Sequence, residues 1–198
     1  SVGVLQRGVP VVGAIHIPWP GREEGVVLHA RDGGGAFVGD QPARVFKADR
    51  PKGERPVTVP SSFHGMFQFD KRADYRLGEV RITGSIAHEI AMAATGAFEY
   101  ALIGSPRLWD VAAGVVLVRE AGGSVLKARR DGIRGARVVW EPLDSFGPVD
   151  DDDITYETLR RWSTSMVMGS PGIARYITSI LRPKWRLRSL LPRRSRHD

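Results

Sequence analysis

Trp109-Asp110-Val111-Ala112-Ala113-Gly114-Val115-Val116-Leu117-Val118-Arg119-Glu120-Ala121-Gly122-Gly123 is the stretch on which the fold turns. Trp109–Glu120 is strongly helical in pattern, and Gly122-Gly123 stop it as glycines do just past a helix end. Ala112, Ala113 and Gly114 let this helix approach a neighbour closely, because small residues in a row act as packing devices. Asp110 falls in the first turn, shortly after a loop that contains Pro106. A carboxylate there is favoured by the helix dipole and can point out of the helix end towards a cation. The same position also serves as an ordinary first-turn cap. Both roles stay open for Asp110 at this level.

Upstream of that helix, Glu99–Ile103 reads as a strand, and Ile86–Thr95 carries small and apolar residues at helical spacing. Gly84-Ser85 opens this Ala-rich segment with a flexible residue followed by a hydroxyl. Free backbone N–H groups at such a helix start bind anions or sugar hydroxyls. Serine is also among the commonest caps, and Ser85 can cap its helix while bordering a pocket. Downstream, Ser124–Lys127, Val138–Trp140 and Thr164–Met168 read as strands. Pro171 then opens a last helix at its first-turn position, with Ile173, Ile177, Ile180 and Leu181 on one face.

The front of the chain has a different rhythm. Val2–Leu5 and Val11–Ile17 are β-branched runs separated by Arg7-Gly8, a hairpin pattern, and Pro18-Trp19-Pro20-Gly21 breaks the second strand. Gly25–Ala30 resumes as a strand, and Asp32-Gly33-Gly34-Gly35 makes a tight turn before a short Ala36–Val38 strand. That glycine run lacks the spacing of a phosphate-binding loop, so it reads as a turn that needs positive φ. Ala48–Glu54 is a loop, Val57–Val59 a short strand, and Pro60-Ser61 caps a helix expected through Tyr75. Arg81–Thr83 is another strand. Asp144–Asp153, with four consecutive aspartates, reads as a solvated loop. Strands alternating with helices in the second half predict an α/β sandwich with an antiparallel meander at the front.

Composition narrows the function class. With no cysteine, disulfides and thiolate metal sites are excluded. No apolar run approaches the roughly 20 residues of a membrane-crossing helix, and no basic-then-apolar leader opens the sequence. A cytoplasmic location is the default expectation. The opening on Ser1, directly into an apolar strand, reads as a processed or truncated start. The formal charge of +7 suggests nucleic acid, but seven cations lie between Arg182 and Asp198, opposed there by Asp198 alone. The basic character therefore belongs to a tail, and the body is nearly neutral.

Trp109-Asp110-Val111-Ala112-Ala113-Gly114 with Glu120-Ala121-Gly122-Gly123, preceded by Arg81-Ile82-Thr83-Gly84-Ser85 and an Ala-rich helix, closely resembles the inositol monophosphatase family. Pro10–Ile15 with Pro18 looks like that family's strand after its first motif, and Gly33–Val38 like its glycine turn. Met166–Gly169 and the helix after Pro171 look like its closing strand and helix. The similarity runs from about Ser1 to Leu181, with Asp144–Ser163 poorly matched. It implies a layered α-β-α-β-α sandwich of the inositol monophosphatase or sugar phosphatase type, incomplete at the N-terminus. The partial domain would span residues 1–181, with the end of the N-terminal sheet region in 1–60 and the C-terminal α/β part in 80–181. Residues 182–198 would form a basic tail.

The resemblance further implies a Mg²⁺-dependent phosphomonoesterase acting on a small-molecule phosphate ester, an inositol phosphate or related sugar phosphate, with a homodimer among the implied assemblies. By resemblance Asp110 is a metal ligand, and Gly84, Ser85 and Ile86 form the sugar-facing helix start. The family's other metal ligands are a Glu and the two Asp of a DPxDGT motif, and neither that motif nor an acidic pair before it occurs here. The chain alone is therefore expected to be nearly inactive. Some inositol-specific members carry a Glu seven residues before the WD aspartate; here that position is Ile103.

The alternative is a non-enzymatic relic or binding domain whose basic tail contacts an anionic membrane or nucleic acid. Trp185, Leu187, Leu190 and Leu191 interleave with arginines in the tail, a pattern compatible with weak contact to an anionic membrane. No recognition motif for specific nucleic-acid binding is present. His88-Glu89 begins like a zinc-binding helix, but residue 92 is Met, so His88 reads as a surface or packing residue. His16, His29, His64 and His197 suggest no site, and Trp109 reads as a core anchor.

Overall fold

The computed structural model describes residues 1–19, 22–71, 78–131, 137–147 and 154–184. The chain starts as an antiparallel meander. β1 (Val2–Gln6) turns through Arg7 and Gly8, both at positive φ, into β2 (Val9–Trp19). Two successive left-handed residues make the tight hairpin whose twist matches its strands. β3 (Arg22–Arg31), β4 (Gly35–Val38) and β5 (Gln41–Pro42) complete a five-stranded sheet in sequential order. The expected break at Pro18 is milder than predicted: β2 runs to Trp19, with an irregular register between Ile17 and Trp19.

A second, mixed sheet has the order β11-β10-β12-β9-β6-β8. In chain order its strands are β6 (Val57–Thr58), β8 (Val80–Arg81), β9 (Tyr100–Ile103), β10 (Ser124–Asp131), β11 (Arg137–Pro142) and β12 (Met166–Gly169). α2 (Ile86–Ala94) and α3 (Leu108–Glu120) occupy the space between the two sheets, and α5 (Pro171–Ile180) covers the far face of the second.

Alternation along β9 shows why this arrangement is stable. Ala101 and Ile103 enter the core shared with α2, α3 and the first sheet, whereas Tyr100 and Leu102 enter the core under α5. All four are buried, as a strand covered on both faces requires.

Residues 60–75 depart from expectation. The predicted helix shrinks to one turn, α1 (Phe63–Met66), followed by β7 (Phe67–Phe69), which pairs antiparallel with β13 (Leu181–Pro183). That remote pairing, with Phe63 and Phe67 buried in the α5 core, overrides local helical preference; residues 72–77 lie outside the described set. The segment from Asp144 also holds a short helix, α4 (Tyr156–Arg161), capped by Thr155. The aspartate run at 150–153 and the tail from Trp185 onward lie outside the described residues.

The implied outermost helical layer is absent among the described residues. Val2, Val4, Val12 and Val27, on the face of the first sheet opposite α3, are 68%, 47%, 42% and 43% exposed. No helix of the described residues is long and apolar enough to cross a membrane.

Candidate active site

The WDxAAG stretch resolves into close packing on two sides and one cap. A Cβ placed on Gly13 of β2 would lie 2.4 Å from the Ala113 carbonyl oxygen, and one on Gly3 of β1 would lie 2.8 Å from Ala112 Cβ. On the other side, a Cβ on Gly114 would sit 2.4 Å from Ile90 Cγ2 of α2. Small residues thus let α3 touch both the first sheet and α2, which fixes where its N-terminus emerges.

At that N-terminus the Arg107 N–H donates to Asp110 Oδ2 at 2.8 Å, and the Asp110 N–H donates to the Arg107 carbonyl at 3.0 Å. Asp110 therefore caps α3, and its side chain is half-buried rather than sealed in the core. Trp109 corrects the sequence reading. It is 58% exposed, because the buried face of α3 begins only at Val111.

The start of α2 is built by a neighbouring carboxylate. Buried Glu89 Oε1 accepts from the Thr83 N–H at 2.8 Å and from Thr83 Oγ1 at 3.1 Å, folding residues 83–85 back onto the helix. Gly84 sits at φ +78°, a conformation that favours glycine, and Ser85 Oγ accepts from the His88 N–H at 3.4 Å. Ile86 is half-buried against the central core.

A cleft of about 530 Å³ opens here, lined by Ser1, Ile15, His16, Ile17, Pro18, Thr83, Ser85, Ala87 and His88. Of the three residues expected to face a sugar, Ser85 lines it, while Gly84 and Ile86 flank Ser85 in the chain. Asp110 does not line this cleft; it belongs to the α3 end, and α3 packs on α2 through Gly114 and Ile90. Ile103 is buried in the central core.

Two residues read as featureless in the sequence, His16 and His88, share this cleft. The signal for His88 was its place three residues after Ser85, which puts both on one helix face. His16 gave none, because it is brought in by β2.

The glycine turn does not cradle phosphate. The Gly33 and Gly35 amides donate to Glu120 Oε1 and Oε2 at 3.0 and 2.7 Å, so the Glu of the EAGG segment consumes them. Glu99, 1% exposed, similarly gathers the amides of Lys52, Glu54 and Arg55 at 2.8, 2.8 and 3.2 Å. The perturbed ionisations lie elsewhere: burial lowers the Arg119 guanidinium from its ordinary value, and Arg129 holds the Glu141 carboxyl below its ordinary range.

A divalent metal needs more than these residues supply. Among the described residues no three His, Cys, Asp or Glu side chains converge as a metal set. Asp110 offers one carboxylate, and Mg²⁺, which loses its waters reluctantly, is not held by one. The residues present do not by themselves make a magnesium site.

Comparison with known proteins agrees with this architecture. A protein-family model described as "Inositol monophosphatase family" matches residues 1–145. The fructose-1,6-bisphosphatase/inositol-1-monophosphatase of Thermotoga maritima is 29% identical over 126 residues, covering 63% of this chain and 47% of that protein. The inositol-1-monophosphatase of Rhizobium meliloti is 33% identical over 126 residues, covering 60% and 46%. The crystal structure of inositol monophosphatase II from Staphylococcus aureus superposes with a TM-score of 0.58 at 21% identity, over 89% of this chain and 56% of that one. That likeness concerns the fold alone. The chain spans about half the length of the curated relatives it matches.

Proposed function

This chain belongs to the inositol monophosphatase family, and we propose that it carries the Asp110 and sugar-facing part of a Mg²⁺-dependent phosphomonoesterase acting on an inositol phosphate or related sugar phosphate. The observation that carries the reading is the half-buried Asp110 carboxylate at the leading end of α3, held by the Arg107 N–H through one oxygen. Among the described residues no hydrogen bond to its other oxygen is found, which would leave that oxygen available to a cation, and the helix dipole favours negative charge at that end. Asp110 would be this chain's one ligand to magnesium, whose Lewis acidity would be available only where further carboxylates complete the site. The chain's own contributions are to orient the Asp110 carboxylate and to present the Ser85 helix start.

Because the other acidic residues of the family motif are not in this sequence, the reading assigns no turnover to the 198-residue chain by itself. Ser1 lines the same cleft as Ser85, so residues joined ahead of Ser1 would reach the cleft directly. By resemblance the DPxDGT motif lies just before the strand equivalent to β1, and its carboxylates would have to meet Asp110 at the α3 end, beside rather than inside this cleft.

The test is a chimera in which the N-terminal half of the Rhizobium meliloti relative, including its acidic motif, is joined ahead of Ser1. Magnesium-dependent release of inorganic phosphate from myo-inositol 1-phosphate is expected, falling at least a hundredfold in Asp110→Asn. A folded chimera without release on a panel of sugar phosphates, or an Asp110→Asn variant of undiminished rate, would overturn the reading. Buried Ile103 supports broad sugar-phosphate use, so a strong preference for myo-inositol over other sugar phosphates would count against it.

A further inference from the structure

We propose that the loop from Arg44 to Arg55, between β5 and β6, is a docking surface for an acidic peptide segment of a partner protein. Arg44, Lys47, Arg50, Lys52 and Arg55 are all exposed, and only two acids, Asp49 and Glu54, lie among them. Among the described residues the one carboxylate within ion-pair distance of these cations is exposed Glu54, 4.0 Å from Lys52. Asp49 instead abuts the first turn of α5, where a Cβ on Gly172 would lie 2.7 Å from its Oδ1.

The loop backbone is pinned in three places. The Val45 N–H donates to the Ala121 carbonyl past the end of α3, and Ser170 Oγ at the start of α5 donates to the Ala48 carbonyl. Buried Glu99 takes the amides of Lys52, Glu54 and Arg55. A loop held in this way has little order left to gain when a partner binds. Its cations are held as well. The Arg50 guanidinium lies 5.1 Å from the Tyr176 ring centre, and Arg55 and the Lys52 ammonium lie 4.9 and 5.9 Å from that of Phe46. Both rings pack on the core under α5. Stacking holds a guanidinium by its face and leaves its N–H edges to fork onto a carboxylate. Arg55 gives one of those edges to the Gly96 carbonyl and keeps the rest.

The same geometry selects among anions. Phe46 and Tyr176 are occupied by cations and by the core, so they offer nucleobases no open stacking platform and cannot insert into a bilayer. Asp49 and Glu54 would repel a continuous line of phosphates, whereas carboxylates on separate side chains can meet the cations one by one. The surface also stands apart from the phosphatase reading. α3 runs for 13 residues from its Asp110 end, about 20 Å, and the loop sits at its far end beside Ala121. A partner there leaves the starts of α2 and α3 open.

The test titrates the isotope-labelled 198-residue chain with a decaglutamate peptide and follows the Arg50 and Arg55 Nε–H signals by NMR. Reading the loop's own signals keeps peptide bound at the basic tail from being counted. Saturable movement is expected, weakening as salt is raised. Arg50→Gln should weaken the affinity read at Arg55 about threefold, the effect of one exposed ion pair. Phe46→Leu keeps every charge and should weaken the affinity read at Arg50 about twofold, because Arg55 and Lys52 lose their ring. Arg160→Gln, an equal loss of charge on α4, should change nothing. Loop signals unmoved by the peptide at low salt would overturn the proposal. So would signals moved at lower concentration by a thymidine decanucleotide or by phosphatidylglycerol vesicles, unchanged affinity in Arg50→Gln or in a folded Phe46→Leu, or an equal loss in Arg160→Gln. Should Phe46→Leu fail to fold, the two arginine variants decide.

Discussion

Replacing Gly13 with alanine tests the contact that positions the Asp110 end of α3. The added Cβ would lie 2.4 Å from the Ala113 carbonyl oxygen, 2.8 Å from its Cα and 2.9 Å from its carbonyl carbon. All three are helix backbone, so no side-chain rotation relieves the clash. Ordinary contact begins at 3.4 Å, so α3 and β2 must separate by about 1 Å, loosening the neighbouring Gly3–Ala112 contact as well. Overpacking of this kind costs roughly 1–3 kcal/mol, and a backbone clash belongs near the upper end. In a domain of this size each kcal/mol lowers Tm by about 2–4 °C, so Gly13→Ala should melt roughly 6–12 °C below the parent. Thermal unfolding followed by far-UV circular dichroism reads this directly. Gly33→Ala is the control: it meets nothing within 4 Å but sits at φ +68°, so backbone strain of about 1 kcal/mol is its only cost. A Gly13→Ala protein melting within about 2 °C of the parent would refute the claim that helix and sheet are in backbone contact here.

Three further outcomes are expected. Glu99→Ala strands three loop amides and should cost about 2–4 kcal/mol in urea unfolding, with Glu99→Gln recovering part; equal stability of Ala and Gln variants would contradict the role assigned. Glu120→Ala should cost about 1–2 kcal/mol and speed hydrogen exchange at the Gly35 amide, and unchanged exchange would mean the carboxylate does not hold the turn. The Arg129 hydrogen bond lowers the Glu141 carboxyl in the folded chain, against a smaller opposing effect of desolvation, so the pair's contribution is present above the ordinary carboxylate range and lost as pH falls through the depressed value. Carboxyl NMR should therefore place Glu141's midpoint below that of a free glutamate and return it upward in Arg129→Gln; an ordinary midpoint in the parent would rule this out.

Local signals carried much of the fold. Arg7-Gly8 between β-branched runs meant a hairpin, Gly122 ended α3, and the isoleucines after Pro171 lie on the buried side of α5. What failed was decided at a distance. β7 exists because β13, more than a hundred residues later, pairs with it. α4 buries none of its own residues and so left no apolar period to read. The carboxylates of Glu99 and Glu120 act on amides 44 to 87 residues away, and nothing in their neighbourhoods announces it. The helix starts and the cleft divided the same way. Asp110 and Ser85 were legible as helix-cap residues because helix starts have a sequence signature, whereas His16 reached the cleft lining through sheet register.

The most direct measurement concerns where a divalent ion binds once the acidic motif is restored. Crystals of the chimera grown with Mn²⁺ would locate the ion by its anomalous scattering. A peak is expected about 2.1 Å from an Asp110 carboxylate oxygen, the bond length of small hard divalent cations, and its loss in Asp110→Asn. An ion bound in the cleft region with Asp110 still turned to the Arg107 N–H, and no carboxylate oxygen of that residue in its shell, would contradict it.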